Sequence, residues 1–187
     1  PSPSRLVFAR LLAIIGNLVA CSMAAYAFAR LRFPLRGVFF AMMLGTLMLP
    51  YHVLLIPQYI LFSAFGWVNT ILPLVVPKFL ATDAFFIFLM VQFIRSLPKG
   101  LTEAAKIDGA GHIRIYAQII MPLCLPALGT TAVFTFIYTW NDFLTPMIYL
   151  TSPANYTVPL GPRLFLDPTN QSDYGSLFAM SILSLGP

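Results

Sequence analysis

Long apolar runs alternate along this chain with short polar segments, and the runs predict its architecture. Four of them are placed as helices that cross a membrane, at about 6–29, 38–56, 80–94 and 123–150, and a further run begins at 177. Runs of roughly 20 apolar residues match the ~30 Å hydrocarbon core of a bilayer. The strict period-2 alternation of a membrane β-barrel is missing. The pattern therefore predicts an all-α, polytopic membrane protein.

Prolines, glycines and polar residues interrupt this pattern. Pro50 and Pro57 predict a kink or a break near the end of the second span, because proline cannot continue the hydrogen-bond ladder of a helix. Gly66 and Asn69, with two prolines after them, predict a turn and a short interfacial helix between the second and third spans. After the fourth span comes a loop at 151–175 that is rich in Pro, Asn and Asp.

The composition supports a membrane protein and excludes a soluble one. Hydrophobic residues make up 59% of the 187 residues and charged residues only 9%, whereas soluble domains carry about 25% charged residues. The net charge of +5 does not indicate a nucleic-acid partner, because the basic residues cluster beside the spans. Cys21 and Cys124 lie inside apolar spans, so they are expected to pack there and not to form a disulfide or a metal site.

Basic residues are distributed unequally between the two sides that these spans define. Loops on the cytoplasmic side of a membrane are enriched in Lys and Arg. The segment at about 95–122 is therefore predicted to be cytoplasmic, and the 151–175 loop is predicted to face outward. The richer side holds Arg30, Arg32, Arg36, Arg95, Lys99, Lys106 and Arg114, and the other side holds Arg5, Arg10, Lys78 and Arg163.

The cytoplasmic segment LTEAAKIDGAGHIRIYAQIIMP (101–122) predicts two short helices that meet at a corner. Ser96 and Pro98 are typical of the start of the first helix, and Gly109 can adopt the left-handed conformation that ends it. Pro122 is expected to start the next span. The apolar faces of the two helices are expected to consist of Leu101, Ala104, Ala105 and Ile107 in the first, and of Ile113, Tyr116 and Ile120 in the second.

Physical reasoning leaves two interpretations of this segment open. It is either a solvated hairpin that only links two spans, or a docking element for another protein. In the second case Ala104 and Ala105 leave room for a partner to approach closely, and the flanking charges fix its register.

Six residues of the segment have a characteristic spacing: Glu103, Ala104, Ala105, Gly109, Ile119 and Pro122. This spacing resembles the EAA motif of permease subunits of binding-protein-dependent ABC importers, and Asp108-Gly109-Ala110 resembles its extended form in the carbohydrate-uptake branch. Met121 stands where that family usually has Leu, a change that conserves volume. Gly111 stands where a Ser often caps the second helix, so this helix start is expected to be less well capped.

Five further blocks resemble the maltose-type sugar permeases, of the MalG kind, and cover nearly the whole chain. The resemblance implies the helical bundle of the type I ABC importer permease, with 1–187 as a single transmembrane domain. The chain starts without Met and stops inside an apolar run, so we expect a fragment that is truncated at both ends. The blocks are AAYAFARLRFP (24–34), LIPQYILFSAFGWVNTILPLVVP (55–77), FFIFLMVQFIRSLPKGLTEAAKIDGA (85–110), PALGTTAVFTFIYTWNDFLTPMIYL (126–150) and YTVPLG (156–161).

The resemblance also implies a function. The chain would be a permease subunit of an ATP-driven importer for a carbohydrate, with a cytoplasmic loop at about 95–122 that couples to a separate ATPase. The implied partners are a second permease subunit, two ABC ATPase subunits and an extracytoplasmic solute-binding protein, in the plasma membrane of a bacterium or archaeon. The residues implied in ATPase coupling are Glu103, Ala104, Ala105, Asp108, Gly109, Ala110, Ile119 and Pro122.

Polar residues within spans are candidates for the translocation pathway. Asn141 and Asp142 lie ~30 Å beyond Pro122 on a helix that rises ~1.5 Å per residue, which places them near the outer face. They either line the outer gate or contact the binding protein, or they cap a helix end beside Trp140. The 151–175 loop is expected to meet the binding protein. Other polar residues are expected to hydrogen-bond between helices without contacting substrate: Asn17, Gln92 and Thr135.

The sequence lacks the signatures of common enzymes, since it has no GxxxxGK[ST] phosphate loop, no HExxH and no GxSxG. We therefore expect no catalytic, cofactor or metal site, and ATP hydrolysis by a partner. Two alternatives remain: a permease for another solute, such as glycerol phosphate, an amino acid or a peptide, and an ion-coupled secondary transporter. The EAA motif argues against the second, as does the expected lack of buried acids paired with bases at mid-span. The sequence does not indicate which sugar is carried.

Overall fold

The computed structural model describes residues 3–142 and 144–150, and every regular element among them is a helix, as predicted. The predicted outer loop at 151–175 and the apolar run from 177 lie outside the described residues. A π-helical turn over Tyr116–Ile120 separates α7 from α8. The α-helices are α1 (Pro3–Arg30), α2 (Arg36–Thr46), α3 (Tyr51–Ala64), α4 (Leu72–Phe79), α5 (Ala84–Ser96), α6 (Lys99–Ile107), α7 (His112–Ile115), α8 (Met121–Leu123), α9 (Leu125–Asn141) and α10 (Leu144–Tyr149).

Two helical stretches in the described part of the chain are long and apolar enough to cross a membrane. They are Phe8–Arg30 in α1 and Leu72–Ser96, which contains α4, α5 and the short break between them. A third exists if the bent pair His112–Leu123 and Leu125–Asn141 forms one span. The first predicted span, at about 6–29, is therefore confirmed.

The second predicted span, at about 38–56, is not one continuous helix, and the predicted break near its end is confirmed at Pro50. Two shorter apolar helices, α2 and α3, occupy this part of the chain and are separated by residues 47–50. Pro50 explains the break, because a proline disfavours helical geometry at the residue before it. Pro57 does not break the chain and lies inside α3.

The boundaries of the third and fourth predicted spans also differ from the structure. The candidate span that contains 80–94 begins earlier, at Leu72, because α4 supplies its first turns. The predicted span at 123–150 combines two helices, since α9 ends at Asn141 and α10 begins at Leu144. The polar residues Asn141 and Asp142 mark the break between α9 and α10, whereas the apolar composition of Leu72–Phe79 gives no sign of where the third span begins.

Contacts divide the chain into two compact units. The first contains Pro1–Ala13, His52–Val76 and Phe136–Pro187, as far as these are described. The second contains Ile14–Tyr51 and Pro77–Thr135.

Aromatic residues of α3 and α10 pack together in the first unit. The Tyr149 ring lies 5.4 Å from that of Phe62 and stacks on Tyr59 at 6.2 Å. The predicted turn before α4 is confirmed by the positive φ angles of Gly66 (68°) and Asn69 (64°). The Asn69 N–H donates to the Tyr149 carbonyl at 2.7 Å, which ties this turn to α10.

An apolar core fills the second unit. Its residues come from α1, from α5 and from the chain between α6 and α9. Both cysteines are free and fully buried in this core, in agreement with the predicted packing role. The most deeply buried members are Cys21, Ala25, Met90, Val91, Ile94, Ile115, Ile120 and Cys124.

A buried hydrogen bond joins α1 and α9 in the second unit. The Asn17 side-chain amide donates to the Thr135 hydroxyl at 2.9 Å, and both residues are at most 1% exposed. The sequence prediction that these two residues bond between helices is confirmed. Gln92, which was expected to do the same, lies on the exposed side of α5.

Thr135→Val is expected to destabilise the protein by about 1 kcal/mol, because it removes the acceptor and leaves the buried Asn17 amide unsatisfied. Thermal unfolding in detergent measures this effect. Thr130→Val is the matched control, since the Thr130 hydroxyl is exposed on the same helix and bonds only to the Pro126 carbonyl one turn earlier. Equal losses in the two variants would contradict the prediction.

Candidate functional site

The segment at 101–122 forms the predicted corner between two helices. Helix α6 ends at Ile107, and Gly109 has a φ of 77°. The Gly109 N–H donates to the Lys106 carbonyl at 3.0 Å, and the Ala110 N–H donates to the Ala105 carbonyl at 2.9 Å. This pair of bonds is the Schellman motif that closes helices at a left-handed residue. The predicted role of Gly109 in ending the helix is confirmed.

The start of α6 differs from the prediction. Ser96 does not cap this helix; it is the last residue of α5, and its hydroxyl donates to the Phe93 carbonyl at 2.7 Å. Pro98 stands just before α6 and holds Leu97 in an extended conformation, with ψ at 140°. The reason is steric, since proline disfavours helical geometry at the residue before it.

The second helix of the corner starts without a side-chain cap, as predicted. Its N-cap position is Gly111, which has an extended conformation with φ −70° and ψ 164°. The helix therefore relies on packing, and Ile115 at its end is fully buried.

These two helices bury only part of the apolar faces that the sequence predicts. In α6 the buried residues are Thr102 and Ala105, each 7% exposed, whereas Ile107 is 86% exposed. After the corner, Ile115 and Ile120 are fully buried and Ile113 is 85% exposed. Periodic spacing identifies residues that share a face, but it does not say which face meets the core.

The eight residues implied in ATPase coupling divide into two groups. Five have exposed side chains or, for glycine, an exposed backbone: Glu103, Ala104, Asp108, Gly109 and Pro122. Ala105 packs in the core of the second unit, and Ala110 and Ile119 pack partly buried against it. Only the first group can meet a partner directly.

Sequence reasoning missed the two most exposed apolar residues of the corner. Ile107 and Ile113 stand one on each side of Gly109, and both are more than four-fifths exposed. Lys106 and Arg114 are exposed beside them. Large apolar side chains that are exposed within a polar rim are typical of protein contact sites. Their signal in the sequence was hidden, because both isoleucines fit the apolar periodicity of a buried face.

The chain leaves the corner through an irregular segment. The π-helical turn is followed by the three-residue α8, and the axes of His112–Leu123 and Leu125–Asn141 differ by 77°. Pro122 lies in α8, so the prediction that it starts the next span is wrong. Cys124, with φ −88° and ψ 4°, forms the break, and Pro126 stands in the first turn of α9. Proline is favoured in the first turn of a helix, where its missing N–H needs no partner.

Three arginines of the second unit lie at or near the ends of α1, α2 and α5. Arg30 at the end of α1 bonds to the last carbonyls of α5, and the Arg95 guanidinium lies 5.1 Å from the Phe40 ring centroid. The Arg36 guanidinium donates to the Leu31 carbonyl. This grouping agrees with the common side that the charge bias predicts for these residues.

An ion pair lies near the middle of the candidate span Leu72–Ser96. The Lys78 ammonium and the Asp83 carboxylate are 2.8 Å apart, and their side chains are 29% and 28% exposed. The Asp83 carbonyl is also 3.9 Å from the Cys21 sulfur, at the middle of α1. The pair is partly exposed, so it does not contradict the expected lack of buried acids paired with bases at mid-span. Lys78 and Asp83 are five residues apart across the break between α4 and α5, and a linear reading assigned Lys78 to the outer side.

The candidate residues of the outer gate make local bonds. The Asn141 amide donates to the Ile137 carbonyl at 2.9 Å, and Asp142 accepts the Thr145 N–H at 3.1 Å. These contacts fit the alternative interpretation, in which both residues cap helix ends. In the same unit, the buried Arg10 guanidinium lies 4.5 Å from the Trp140 ring centroid, and Asp142 attracts it electrostatically.

Residues 16–186 match the family described as binding-protein-dependent transport system inner membrane component. The chain belongs to this family. The resemblance predicted from the EAA spacing is thereby confirmed, and the fold is that of an ABC importer permease.

Relatives within the permease family transport different solutes. The trehalose/maltose transport system permease protein MalG of Thermococcus litoralis is 36% identical over 166 residues, which is 89% of this chain and 60% of MalG. The sn-glycerol-3-phosphate transport system permease protein UgpE of Yersinia enterocolitica is 33% identical over 174 residues, 92% of this chain and 61% of UgpE.

A solved structure supports the same fold. It is the crystal structure of a bacterial ABC transporter involved in the import of the acidic polysaccharide alginate, and one of its chains superposes with a TM-score of 0.77 at 25% identity. The match covers 95% of this chain and 63% of that chain. The chain described here therefore spans less than two thirds of the length of each of these three permease-family proteins.

Membership of this family argues against the alternative of an ion-coupled secondary transporter. It is a stronger argument than the distribution of charged residues within the spans. Lys78 and Asp83 form a partly exposed pair across the break between α4 and α5, whereas the argument from the charge pattern concerns buried pairs. The match over 16–186 remains, and it includes the corner with the EAA spacing.

Proposed function

We propose that this protein is a permease subunit of an ATP-driven, binding-protein-dependent ABC importer for a carbohydrate. It forms part of the translocation pathway and has no enzymatic activity of its own, so a separate ATPase subunit hydrolyses ATP. The family match supports this role, as do the trehalose/maltose and alginate importers among its relatives.

The observation that carries the proposal is the geometry of the corner. Gly109 turns the chain sharply, so that Ile107 and Ile113 project on either side of it. Glu103 and Ala104 are exposed on α6 beside Ile107. This surface has an apolar centre and a charged rim, which is the arrangement of a protein interface. It is proposed to dock in a cleft of the ATPase.

The remaining coupling residues act from within the chain in this proposal. Asp108 holds the C-cap position and Pro122 lies in the exit from the corner, both exposed. Ala105, Ala110 and Ile119 pack against the core of the second unit. They would fix the position of the docking surface, and their substitution would act by displacing it.

The proposed assembly contains a second, related permease, two ABC ATPase subunits and an extracytoplasmic solute-binding protein, in the plasma membrane of a bacterium or archaeon. The protein would cross that membrane several times, with the corner in the cytoplasm. On the outer side, Asn141 and Asp142 would border the gate while also capping helix ends, and the 151–175 loop would meet the binding protein.

The proposal is tested by reconstituting the full-length protein with its partners in proteoliposomes and measuring sugar uptake. Glu103→Lys is expected to reduce ATP-dependent uptake more than tenfold and to release the ATPase subunits during purification, because it reverses a charge on the docking surface. Membrane insertion is expected to be unchanged, because Glu103 is exposed.

Ser96→Lys is the control for added positive charge, since Ser96 is exposed at the same end of the unit but precedes the corner. Glu103→Gln is expected to have an intermediate effect. If Glu103→Lys keeps its ATPase subunits through purification, the proposed docking surface is wrong. Uptake that persists without any ATPase would contradict the function itself.

A second candidate is import of a phosphorylated solute, which the 33% identity to UgpE favours. The two are separated by offering binding proteins loaded with neutral sugars or with glycerol phosphate to the reconstituted complex. The cargo is the ligand whose loaded binding protein stimulates ATP hydrolysis.

A further inference from the structure

Three polar residues of α1 lie four residues apart and face the corner segment. They are Ser22, Tyr26 and Arg30, and side chains at this spacing share one face of a helix. Each makes a polar contact with the chain just before α6 or just after the corner. We call these three residues the α1 stripe.

Arg30 holds the chain that leads into the corner. Its Nη2 atom donates to the Ile94 carbonyl at 2.9 Å and to the Leu97 carbonyl at 2.8 Å. These carbonyls close α5, and α6 begins two residues after Leu97. Hydrogen bonds from a charged donor are stronger than neutral ones, and a cation is favourable at the C-terminal end of a helix.

Tyr26 and Ser22 hold the chain that leaves the corner. The Tyr26 hydroxyl is 3.2 Å from Nδ1 of His112, the first residue of α7. The Ser22 hydroxyl is 2.8 Å from that of Tyr116, where the π-helical turn begins. The rings of Tyr26 and Tyr116 also meet edge to face, with centroids 5.5 Å apart. Ser22 and Tyr26 are buried, at 2% and 5% exposure.

The covalent connection from the corner to α9 is poorly suited to transmit movement. It contains a π-helical turn, a three-residue helix and a bend of 77°. An open groove of about 480 Å³, lined by Val19, Met121 and Gly129 among others, lies beside the Ser22–Tyr116 bond. Packing is incomplete there, so the polar bonds to α1 hold the irregular segment in place.

We propose that the α1 stripe fastens both flanks of the corner to α1, so that the corner and α1 move as one body when the ATPases close. Ser22, Tyr26 and Arg30 are then positioning residues for transport. This inference rests on the proposed function, since it names the helix that receives the movement of the docking surface. The bend at Cys124 lets α9 change its direction independently of the corner and α1.

The proposal is tested with the full-length protein, reconstituted with its partners. Tyr26→Phe and Ser22→Ala remove hydroxyl groups and keep most of the packing. In the double variant, the amount of sugar carried per ATP hydrolysed is expected to fall about fivefold. ATPase co-purification and binding-protein-stimulated hydrolysis are expected to stay within about twofold of wild type, because the docking surface is unchanged.

Further variants separate this role from a loss of folding. His112→Asn keeps a polar partner for the Tyr26 hydroxyl and is expected to retain coupling, whereas His112→Leu is expected to lose it. Tyr116→Phe is expected to add little to Ser22→Ala, because both break the same bond. Tyr59→Phe, in the first unit, is the control for losing a tyrosine hydroxyl.

The proposal is overturned if the double variant carries as much sugar per ATP hydrolysed as wild type. It is also overturned if transport falls only in proportion to the ATPase subunits lost during purification. If the wild-type complex itself shows no ATP-dependent uptake, the proposed function has failed, and the α1 stripe with it. If the wild-type complex transports sugar and all the variants transport it equally well, the role of the α1 stripe is contradicted, whereas the proposed function is not.

Discussion

Replacing Gly109 with valine is expected to reduce transport more than tenfold and to detach the ATPase subunits, while the protein still inserts into the membrane. Gly109 has a φ of 77°, and no atom lies within 4 Å of the position that a Cβ would occupy. The effect therefore comes from the backbone and not from crowding. The left-handed conformation costs an L-residue about 1–2 kcal/mol, and a β-branched residue tolerates it worst. Each 1.4 kcal/mol changes a population about tenfold.

Loss of this conformation removes both hydrogen bonds that close α6, from Gly109 to Lys106 and from Ala110 to Ala105. Ile107 and Ile113 would then no longer project from a fixed corner. Uptake by proteoliposomes and recovery of ATPase subunits on a tagged permease measure the two consequences.

The chain offers a matched control two residues away. Gly111 also has open space around its Cβ position, but its φ is −70° and its ψ 164°, which is extended backbone that valine favours. Gly111→Val is therefore expected to retain most of the transport. Gly109→Asn is expected to recover part of it, because Asn enters the left-handed region more readily. Equal loss in the two valine variants would show that the corner's backbone conformation is not the cause.

Breaking the ion pair between Lys78 and Asp83 is expected to have the second large effect, this time on stability. Lys78→Met leaves Asp83 without its partner near the middle of the candidate span Leu72–Ser96. A lone charge at the centre of a membrane helix costs about 2.5–3.5 kcal/mol, and partial exposure reduces this figure. We expect each single substitution to destabilise the protein by about 2 kcal/mol, measured by unfolding in detergent or lipid.

The double variant Lys78→Met/Asp83→Leu decides whether the two charges act as a pair. Replacing both removes the uncompensated charge, and buried pairs replaced by apolar residues often keep their stability. The double variant is expected to be more stable than either single variant, with a coupling of at least about 1 kcal/mol. Additive losses would mean that the two charges are solvated separately.

Features that depend on a few neighbouring residues were predictable from the sequence. Gly109 ends α6 because only a few side chains tolerate its conformation, and the residues around it carry the EAA spacing. Pro50 marks a break between helices for an equally local reason. That Asn17 and Thr135 each bond between helices followed from a general tendency of polar side chains in apolar helices to find partners, but the sequence did not pair them with each other.

Features that depend on which face of a helix packs against the core were not predictable from the sequence. Ile107 and Ile113 fit a buried periodicity and are nevertheless the most exposed apolar residues of the corner. Lys78 was assigned to the outer side, and nothing in a linear reading brings it together with Asp83 across a helix break. In each case the outcome depends on how helices pack, and hydropathy carries no information about packing direction.

The sequence by itself determined the membrane class, the helical architecture, the family and the glycine corner, because apolar content, backbone preference and motif spacing are all properties of short stretches of chain. Only the tertiary structure decided which surfaces of the corner are free and what holds the corner in place. The Ser22–Tyr116 bond joins residues 94 positions apart, and the Asn17–Thr135 bond joins residues 118 apart. Such pairs are set by the angle and register at which helices meet, and these arise only when the whole unit packs.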